Sequence, residues 1–407
     1  MTEEDDNVTE KIYLENPYLK EITAKVVAKE YSNSKFYVTL NRTIVYPHLS
    51  GGQPMDKAII NNSKVIDVYE EDGNIIHILE DNIDANTVNI SIDWNTRFDH
   101  MQQHTGQHLL SAVIYKLYNA NTIGMHIGRD YVYIDVALPK LSEEDVEKIE
   151  RFANQIIYSN FPVKTYFIEN KDVPTIPLRK PPTVDKNIRI VEIENVDITP
   201  CAGTHVRNIG EVGIVKIRKW EKYKGNTRIE FVCGNRALKD YTLKNYHINN
   251  ISTLLSSKDT DTYTAVSKLY EEYKLLEKKL LDTKAELLKY QIESFINNAY
   301  IIKNVRIISK ILYDFDLKMA KCAMSQILSY SNTICILCVV ENNKCHVLMG
   351  RSEDISIDMK EVFDSVISII NGKGGGTPEL VQGGGTNIKN LTIFMDKCFE
   401  LLNEKIL

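Results

Sequence analysis

Short strings of alternating apolar and polar residues dominate the chain between residues 20 and 95. Ile22–Ala28, Lys35–Leu40 and Val88–Ile92 follow the period of two that is typical of half-buried strands. Turn-forming residues separate these strings, and Glu71-Asp-Gly-Asn74 has the composition of a hairpin turn. The pattern predicts a small N-terminal β-barrel over residues 1–94.

The pattern changes to helical periodicity near Arg97 and keeps it to about Tyr118. A strand-like string follows at 131–136, and Ser142 and Asp145 have the spacing of a helix capping box. Further strands are expected on either side of the proline-rich segment 174–182, before a loop that contains Cys201. We therefore expect an α+β domain over residues 95–245.

From residue 266 onwards, apolar side chains recur in alternating steps of three and four, with lysine and glutamate between them. The positions are Val266, Leu269, Tyr273, Leu276, Leu280, Thr283, Leu287 and Tyr290. This heptad seam is typical of a coiled coil and predicts a helical linker over 246–300 that either pairs with a second chain or folds back as an arm. Strands and helices alternate again over 301–407, as in an α/β domain.

A length of 407 residues exceeds what one hydrophobic core usually serves, which agrees with this α+β multidomain fold class. The acidic N-terminus is unlike a signal peptide and no apolar run is long enough to span a bilayer, so we expect a cytoplasmic protein without a membrane partner. Cys335 and Cys338 lie in an apolar string, which favours two buried core thiols over a redox or metal site.

Two pairs of residues are strong candidates for metal ligands. His104 and His108 lie one turn apart on the same face of a predicted helix, and Cys201 and His205 have the same spacing in a loop marked by Gly203. Zn²⁺ binds imidazole and thiolate, usually from two local pairs that the fold brings together, so these residues predict one Zn²⁺ per chain. Single histidines on helices are more often packed or solvated, but four of the nine histidines fall between residues 100 and 126.

These motifs also resemble those of a known family. Arg97-Phe-Asp-His-Met-Gln-Gln-His-Thr-Gly-Gln-His-Leu-Leu-Ser-Ala112 and Cys201-Ala-Gly-Thr-His-Val206 resemble the editing domain of alanyl-tRNA synthetases and, more closely, the free-standing alanyl-tRNA editing proteins of the AlaX family. Tyr46-Pro-His-Leu-Ser-Gly-Gly-Gln-Pro-Met-Asp56 is similar to the family's turn in a small barrel. Gly372–Gly385 is similar to the glycine motif of the DHH-associated C-terminal domain. Together the motifs span nearly the whole chain, as in the long form of these proteins.

The resemblance implies a zinc-binding editing domain over 95–245 and a DHH-associated domain over 301–407. The implied reaction is hydrolysis of the ester that joins a wrong amino acid, chiefly serine and also glycine, to tRNA(Ala). Because the barrel motif begins within the first fifty residues, we expect the chain to correct tRNA and not to charge it. Phosphoesterases that share the C-terminal module need an Asp-His-His motif, which this sequence lacks.

The candidate substrate-pocket residues are Gln103 and Gln107 beside the helical ligands, His126 where the family has pocket residues, and Thr204. For each of these residues, an ordinary polar side chain at the surface or beside the ligands is an equally good interpretation. The sequence indicates no catalytic group beyond a water associated with the zinc. Because four protein ligands make a closed site, there are two alternatives. Either one ligand, His205, is weak or is displaced when the substrate binds, or the zinc positions the substrate and water is activated elsewhere. The exchangeable fourth ligand is slightly favoured.

Selectivity for serine needs a buried hydrogen-bond partner for its hydroxyl. Correctly charged Ala-tRNA(Ala) would leave that partner unpaired, at a cost of about 1–3 kcal/mol. The candidates for the partner are Thr105, Gln107, Thr122 and Thr204.

The net charge of −6 argues against an extended nucleic-acid surface, so we expect tRNA contacts in patches. The run 216–228 combines six basic residues with two aromatic ones, which suits phosphate contact and base stacking, although a solvated basic hairpin has the same composition. The predicted tRNA contacts are Lys216, Arg218, Lys219, Trp220, Lys222, Arg228, Gly374, Gly375 and Gly376. The three glycines are candidates for a phosphate-binding nest or for dimerisation, and a flexible loop packed under the domain is the alternative.

Two other classes of function fit the sequence. A non-catalytic tRNA-binding protein with a structural zinc would bind tRNA without deacylating it. A zinc hydrolase of free small molecules is disfavoured, because the chain has no His-Glu-x-x-His motif. Threonyl-tRNA editing domains share the two-pair pattern, but the barrel turn and the C-terminal domain favour the alanine lineage. The chain departs from the family at Leu49-Ser50, at Lys57-Ala58 and at Ile209, which concerns the turn facing the pocket and not the ligands.

Overall fold

The structure is a computed structural model that describes residues 8–48 and 52–407. The chain divides into two compact units between Thr253 and Leu254. Helices and several sheets occur in both, so the expected α+β multidomain class is confirmed. The finer division at 94/95, 245/246 and 300/301 stays a prediction, and the departure at Leu49-Ser50 lies outside the described residues.

Short strands and one short helix form the first part of unit one. They are β1 (Glu10–Lys11), α1 (Ile12–Glu15), β2 (Glu21–Ser32), β3 (Lys35–Leu40), β4 (Arg42–Thr43), β5 (Ala58–Ile60), β6 (Ser63–Glu71), β7 (Asn74–Leu79) and β8 (Thr87–Ile92). Six strands pair antiparallel in the order β2-β3-β7-β6-β5-β8, and β8 pairs again with β2, so the ladders close into a barrel. Alternate residues such as Val38 and Leu40 fill its interior.

One histidine lies inside this barrel. His77 on β7 is fully buried; its Nδ1–H donates to the Val38 carbonyl oxygen at 3.2 Å, and its Nε2 accepts from the Thr43 hydroxyl at 2.9 Å. Burial lowers the pKa of His77 to about 4, so the ring is neutral near pH 7. A single tautomer therefore satisfies both ring nitrogens.

The long helix α2 (Trp94–Tyr118) begins where the barrel ends. The Asp93 carboxylate caps it by accepting from the Thr96 backbone N–H at 2.6 Å, and Asn119 ends it in the left-handed conformation. The helix ends at the predicted residue and begins three residues before the predicted start. Its polar residues between His100 and His108 are buried, because the helix packs against the strands that follow it while its first turns contact the barrel.

A buried ion pair fixes α2 to the barrel. Arg97 and Asp56 have no exposed side-chain surface, and the guanidinium binds the carboxylate through Nε and Nη2. The guanidinium also donates to the carbonyl oxygens of Pro17 and Ile44, and the Tyr46 N–H donates to Asp56. Removing either partner would leave an uncompensated buried charge, at a cost of about 3–5 kcal/mol.

Two antiparallel sheets and a helix follow, and a further helix ends the unit. The elements are β9 (Thr122–Ile127), β10 (Val132–Val136), α3 (Glu143–Tyr158), β11 (Val163–Ile168), β12 (Ile188–Ile193), β13 (Asp197–Pro200), β14 (Val215–Tyr223), β15 (Asn226–Cys233) and α4 (Gly234–Leu254). One sheet has the order β14-β15-β10-β9 and the other β11-β12-β13. The capping box predicted at Ser142 and Asp145 is confirmed. The first part of helix α4 was not predicted, whereas its residues 246–254 fall within the predicted helical linker.

The second unit combines a long helix with a six-stranded sheet. Its elements are α5 (Thr262–Asn297), β16 (Tyr300–Ile302), β17 (Val305–Leu312), α6 (Leu317–Ile327), β18 (Thr333–Glu341), β19 (Lys344–Arg351), α7 (Met359–Val366), β20 (Lys373–Gly376), β21 (Leu380–Gly385) and α8 (Leu391–Ile406). The strand order is β16-β17-β18-β19-β21-β20. Cys335 and Cys338 are fully buried on β18 and burial raises the pKa of both thiols, so the prediction of core thiols is confirmed.

The predicted heptad seam lies on α5 and is exposed. Its apolar members Val266, Leu269, Tyr273, Leu276, Leu280, Leu287 and Tyr290 are all exposed, and α5 reaches the core of the second unit only near its end, through Leu288 and Ile292. The seam therefore does not fold back onto this unit. Among the described residues, no helix combines the length and the apolar character that crossing a membrane requires.

The glycine motif forms strands β20 and β21. A Cβ on Gly374 or Gly376 would overlap backbone oxygens of the paired strand, so these glycines permit close contact between two backbones. Gly374, Gly375 and Gly376 are extended, and none has the left-handed backbone that a phosphate-binding nest needs. The nest and the flexible loop are therefore both wrong for this segment, while its contact with tRNA stays a prediction.

The barrel should lose stability as the pH falls from 7 to 5, because the unfolded chain takes up a proton at His77 with a pKa near 6.5 and the folded barrel does so only near 4. The contribution is fully present above pH 6.5 and decreases as the pH falls, by about 2 kcal/mol at pH 5. Hydrogen exchange of β3 and β7 amides, corrected for the intrinsic rate, measures it. In His77→Gln the pH dependence should shrink by that amount, and an undiminished dependence would contradict this assignment.

Candidate metal centre and the cavity above it

The structure brings the four predicted ligands together. One donor atom from each of His104, His108, Cys201 and His205 lies within 4.8 Å of the other three. Nε2 of His104 and Nε2 of His205 lie 3.4 and 3.5 Å from Sγ of Cys201. Donor atoms bound to one tetrahedral ion at about 2.0–2.3 Å stand roughly 3.3–3.6 Å apart, so this set fits a tetrahedral metal.

Contacts with Arg189 on β12 hold the Cys201 loop in place. The Cys201 N–H donates to the Arg189 carbonyl oxygen at 3.0 Å, and Nη1 of Arg189 donates to the carbonyl oxygens of Cys201 and Gly203 at 2.8 Å each. A Cβ on Gly203 would overlap the His104 ring, so only glycine lets the loop pass this close to the helix. Arg189 thus fixes the loop of the second ligand pair, and Gly203 lets that loop approach the first pair on α2.

Gln53 of the barrel orients the first ligand. Its Oε1 accepts from the His104 Nδ1–H at 3.0 Å and from the Thr204 backbone N–H at 3.1 Å. Because Nδ1 of His104 donates, its Nε2 carries the lone pair that faces Cys201. The sequence had marked this residue only as part of a family turn. Its burial and its contact with His104 follow from the tertiary structure, so no local sequence signal identified its role.

A hydrogen bond orients His205 in the same way, whereas His108 lies beside a carboxylate without a hydrogen bond to it. Nδ1 of His205 donates to the Thr105 hydroxyl at 3.1 Å, and Nδ1 of His108 lies 3.6 Å from Oδ2 of Asp197. Arg179 holds this carboxylate through Nε and Nη2 at 2.7 and 3.0 Å. Burial opposes ionisation of Asp197, but the neighbouring His108 and Arg179 outweigh burial and lower the pKa of the carboxyl to about 2. The sequence did not indicate Asp197 or Arg179.

The electrostatics of the cluster favour the metal-binding protonation states of two ligands, Cys201 and His205. At His108 burial lowers the pKa, but the neighbouring Cys201 and Asp197 outweigh burial and raise it. Burial raises the pKa of Cys201, but the charges of His104 and His108 outweigh burial and hold it well below the usual value. Burial lowers the pKa of His205 to about 3. The environment therefore favours a thiolate at Cys201 and a neutral imidazole at His205, which are the forms that bind metal.

A cavity of about 680 Å³ opens above the cluster. His104, His108 and Cys201 form part of its wall, whereas His205 lies behind them and is 2% exposed. Strand β9, Leu14 of α1 and residues between 179 and 189 form much of the remaining wall. A molecule in the cavity therefore meets the cluster through the face formed by the first three ligands.

Gln107 and Thr122 are the predicted polar residues that line this cavity. Both are hydrogen-bonded to Ser111, from the Gln107 amide at 2.8 Å and from the Thr122 hydroxyl at 2.7 Å. Thr105 and Thr204 do not line the cavity, because they are fully buried and engaged by His205 and Gln53 respectively.

Gln103 and His126 also lie away from the cavity. The Gln103 side chain pairs with the backbone of Cys233, accepting at 2.9 Å and donating at 3.1 Å, so it joins α2 to β15. His126 is exposed, and its ring lies 5.3 Å from the ring of Tyr133, its neighbour across the sheet. Gln103 therefore fixes α2 against β15, and His126 faces solvent.

The basic run forms the hairpin of β14 and β15, and most of its charges are paired within the chain. The ion pairs are Lys216 with Glu150, Arg218 with Glu230 and Asp240, Lys219 with Glu221, and Arg228 with Asp135. Trp220 packs against the core and donates its Nε1–H to the Leu141 carbonyl oxygen at 3.2 Å. Lys222 has no ion-pair partner in the described part of the chain. This arrangement favours the solvated hairpin, and tRNA contact here stays a prediction.

Comparison with known proteins identifies the family. Residues 188–230 match the model of the threonyl and alanyl tRNA synthetase second additional domain. The chain is 35% identical to alanyl-tRNA editing protein AlaX-L from Pyrococcus horikoshii, over 92% of this chain and 94% of that protein. The chain belongs to the alanyl-tRNA editing protein family. The resemblance read from the motifs is thereby confirmed.

A second editing protein and a synthetase are also similar to this chain. Alanyl-tRNA editing protein Aarsd1-B from Xenopus laevis is 36% identical over 67% of this chain and 67% of its own length. Alanine–tRNA ligase from Methanococcus maripaludis is 25% identical over 97% of this chain and 44% of that enzyme. The similarity to the editing proteins thus extends to a synthetase, as the motifs indicated.

Replacing Gln53 should weaken metal binding without removing a ligand. Gln53→Met keeps the side-chain volume but leaves Nδ1 of His104 without its acceptor, so we expect transition-metal affinity to fall roughly 10- to 100-fold. Competition with a chromophoric chelator measures the affinity. Gln155→Met, on the exposed surface of α3, is the matched control and should bind metal like wild type. Equal affinity in the two variants would exclude a role for Gln53.

Proposed function

We propose that the chain is a trans-editing hydrolase that removes a wrong amino acid, chiefly serine and also glycine, from tRNA(Ala). The observation that carries the proposal is the cluster of His104, His108, Cys201 and His205 beneath an open cavity, in a member of the alanyl-tRNA editing family. The name of the similar AlaX-L protein supports the substrate class.

We further propose Zn²⁺ as the metal, since three imidazoles and one thiolate are the ligands that zinc prefers. Bound there, Zn²⁺ would polarise the ester carbonyl and lower the pKa of a nearby water. The ester would reach the cluster through the face formed by His104, His108 and Cys201. His205, on the opposite side, is the proposed exchangeable ligand.

Arg189 adds positive charge to the cavity wall. Its side chain is buried, its guanidinium donates to three backbone carbonyl oxygens, and it has no carboxylate partner among the described residues. A fixed cation in a largely buried wall favours the negative charge that develops on an ester oxygen during hydrolysis. Arg189 therefore holds the ligand loop in place and also makes the cavity wall more positive.

Serine selectivity is assigned to Gln107 and Thr122. Both line the cavity beside His104 and His108, and their link to Ser111 fixes their orientation. A seryl hydroxyl would complete their hydrogen bonding, whereas an alanyl methyl group would leave polar atoms unpaired.

A non-catalytic tRNA-binding protein with a structural zinc is the second candidate. The observation in its favour is the set of four protein ligands, which completes a tetrahedral site as structural zinc sites do. The open cavity on one face of the cluster favours the hydrolase instead, because a structural site needs no access for a molecule of substrate size.

We also propose that the exposed seam of α5 pairs with a second chain. Apolar residues at heptad spacing, separated by lysine and glutamate, support a coiled-coil homodimer. A large exposed apolar stripe on a single chain is otherwise unfavourable.

Deacylation of seryl-, glycyl- and alanyl-tRNA(Ala) tests the proposal. Wild type should hydrolyse the seryl ester and spare the alanyl ester, because only the former satisfies the polar groups of the cavity. Cys201→Ala and a chelated sample should lose activity, and added Zn²⁺ should restore only the latter. Cys322→Ala, at an exposed cysteine, is the control and should remain active. If tRNA binds and every ester survives, the chain is a binding protein with a structural metal.

Thr122→Val should reduce the selectivity for seryl over alanyl esters and leave the fold of the protein largely unchanged. The substitution keeps the shape but removes the hydroxyl, so the ratio of kcat/KM for seryl- over alanyl-tRNA(Ala) should fall roughly tenfold. Thr165→Val, on the exposed face of β11, should leave the ratio unchanged. A wild-type ratio in both variants would assign serine recognition to another residue.

A further inference from the structure

Three apolar side chains meet at the mouth of the metal cavity although each is largely exposed. They are Ile123 on β9, Phe167 on β11 and Val184 in the segment between β11 and β12, with exposures of 58%, 53% and 54%. Single exposed apolar residues are common, but a group that converges from separate elements on one opening marks a binding surface. We call these residues, together with Lys180 and Lys186, the cavity rim.

The lysines of the cavity rim are free of ion pairs. Lys180 and Lys186 are exposed at the mouth, and neither has an acidic partner in the part of the chain that the structure describes. By contrast, Lys11 at the same opening is paired with Glu70 at 2.6 Å, and Arg179 is paired with Asp197. The rim therefore combines an accessible aromatic ring with two uncompensated positive charges.

We propose that the cavity rim binds the unpaired 3′-terminal nucleotides of tRNA, with a base stacked on Phe167 and phosphates at Lys180 and Lys186. Exposed aromatic rings recognise unpaired bases by stacking, and lysines bind the phosphates between them. The inference rests on the proposed function, since an ester on the terminal ribose must pass the rim to reach the cluster. Ile123 and Val184 provide apolar surface on either side of the base.

The dimensions of the cavity favour this occupant over a duplex or a protein. A cavity of about 680 Å³ accommodates one or two nucleotides but not a double helix, whose bases are also unavailable for stacking on Phe167. The rim is too small for a stable protein interface, which usually needs about 800 Å² from each partner. The single-stranded end of a nucleic acid fits both its size and its charge.

Binding of uncharged tRNA(Ala) with an intact or a truncated 3′ end tests the inference without relying on catalysis. The truncated molecule lacks the unpaired nucleotides, and fluorescence anisotropy gives Kd for both forms. For wild type, truncation should weaken binding roughly tenfold or more, because it removes base stacking. For Phe167→Ala most of this difference should vanish, whereas Tyr158→Ala, at an exposed tyrosine on α3, should behave like wild type.

The lysines are tested through salt dependence. In Lys180→Gln/Lys186→Gln, the slope of log Kd against log salt for intact tRNA should become shallower by about 0.7 for each lysine. Lys140→Gln/Lys148→Gln removes two exposed lysines outside the cavity and should change the slope by much less. With seryl-tRNA(Ala) as substrate, Phe167→Ala should raise KM about tenfold while kcat changes little.

Equal loss of affinity on truncation in wild type and Phe167→Ala would overturn the inference, even if wild type deacylates seryl-tRNA(Ala). Conversely, a wild type that hydrolyses no ester but loses affinity on truncation, while Phe167→Ala does not, would support the rim and overturn the proposed reaction. The two failures are therefore distinguishable in one set of samples.

Discussion

The buried ion pair between Arg97 and Asp56 is the contact on which the metal centre depends. Arg97, His104 and His108 follow one another at seven and four residues on α2, so they share one face of the helix. The face of α2 that is joined to the barrel by the ion pair is therefore the same face that carries the two histidine ligands. Because both charges are fully buried, any displacement of the helix would expose or separate them at a large cost in free energy.

The ligands themselves are held by partners from distant parts of the chain. Gln53 comes from the barrel, Thr105 from the helix and Asp197 from β13, and each contacts the Nδ1 side of one histidine. Such contacts fix the ring orientation before a metal arrives, which lowers the conformational entropy lost on binding. The protein therefore presents its donor atoms in a largely prearranged geometry.

The metal ligands could be predicted from the sequence because spacing and donor chemistry are local properties. His104 and His108 needed only helical periodicity, and Cys201 and His205 needed only a short loop. Gln53, Asp197 and Arg189 could not be predicted, since their roles follow from tertiary contacts between segments far apart in sequence. His126 shows the same limit, because its position on the cavity strand β9 did not decide which side of the sheet its ring would occupy. Trp220 was expected at a nucleic-acid surface but packs against the core, as large apolar rings commonly do.

The contact between Gln53 and His104 has a consequence for how this protein can be divided. A fragment that begins at residue 95 would retain all four ligands and every strand of the two sheets that follow α2. It would nevertheless lack both the acceptor for His104 and the carboxylate that neutralises Arg97, leaving a buried cation and a freely rotating imidazole. The barrel is accordingly no detachable module. Grafting the ligand-bearing half onto another scaffold would require a substitute glutamine and a substitute carboxylate in the same places.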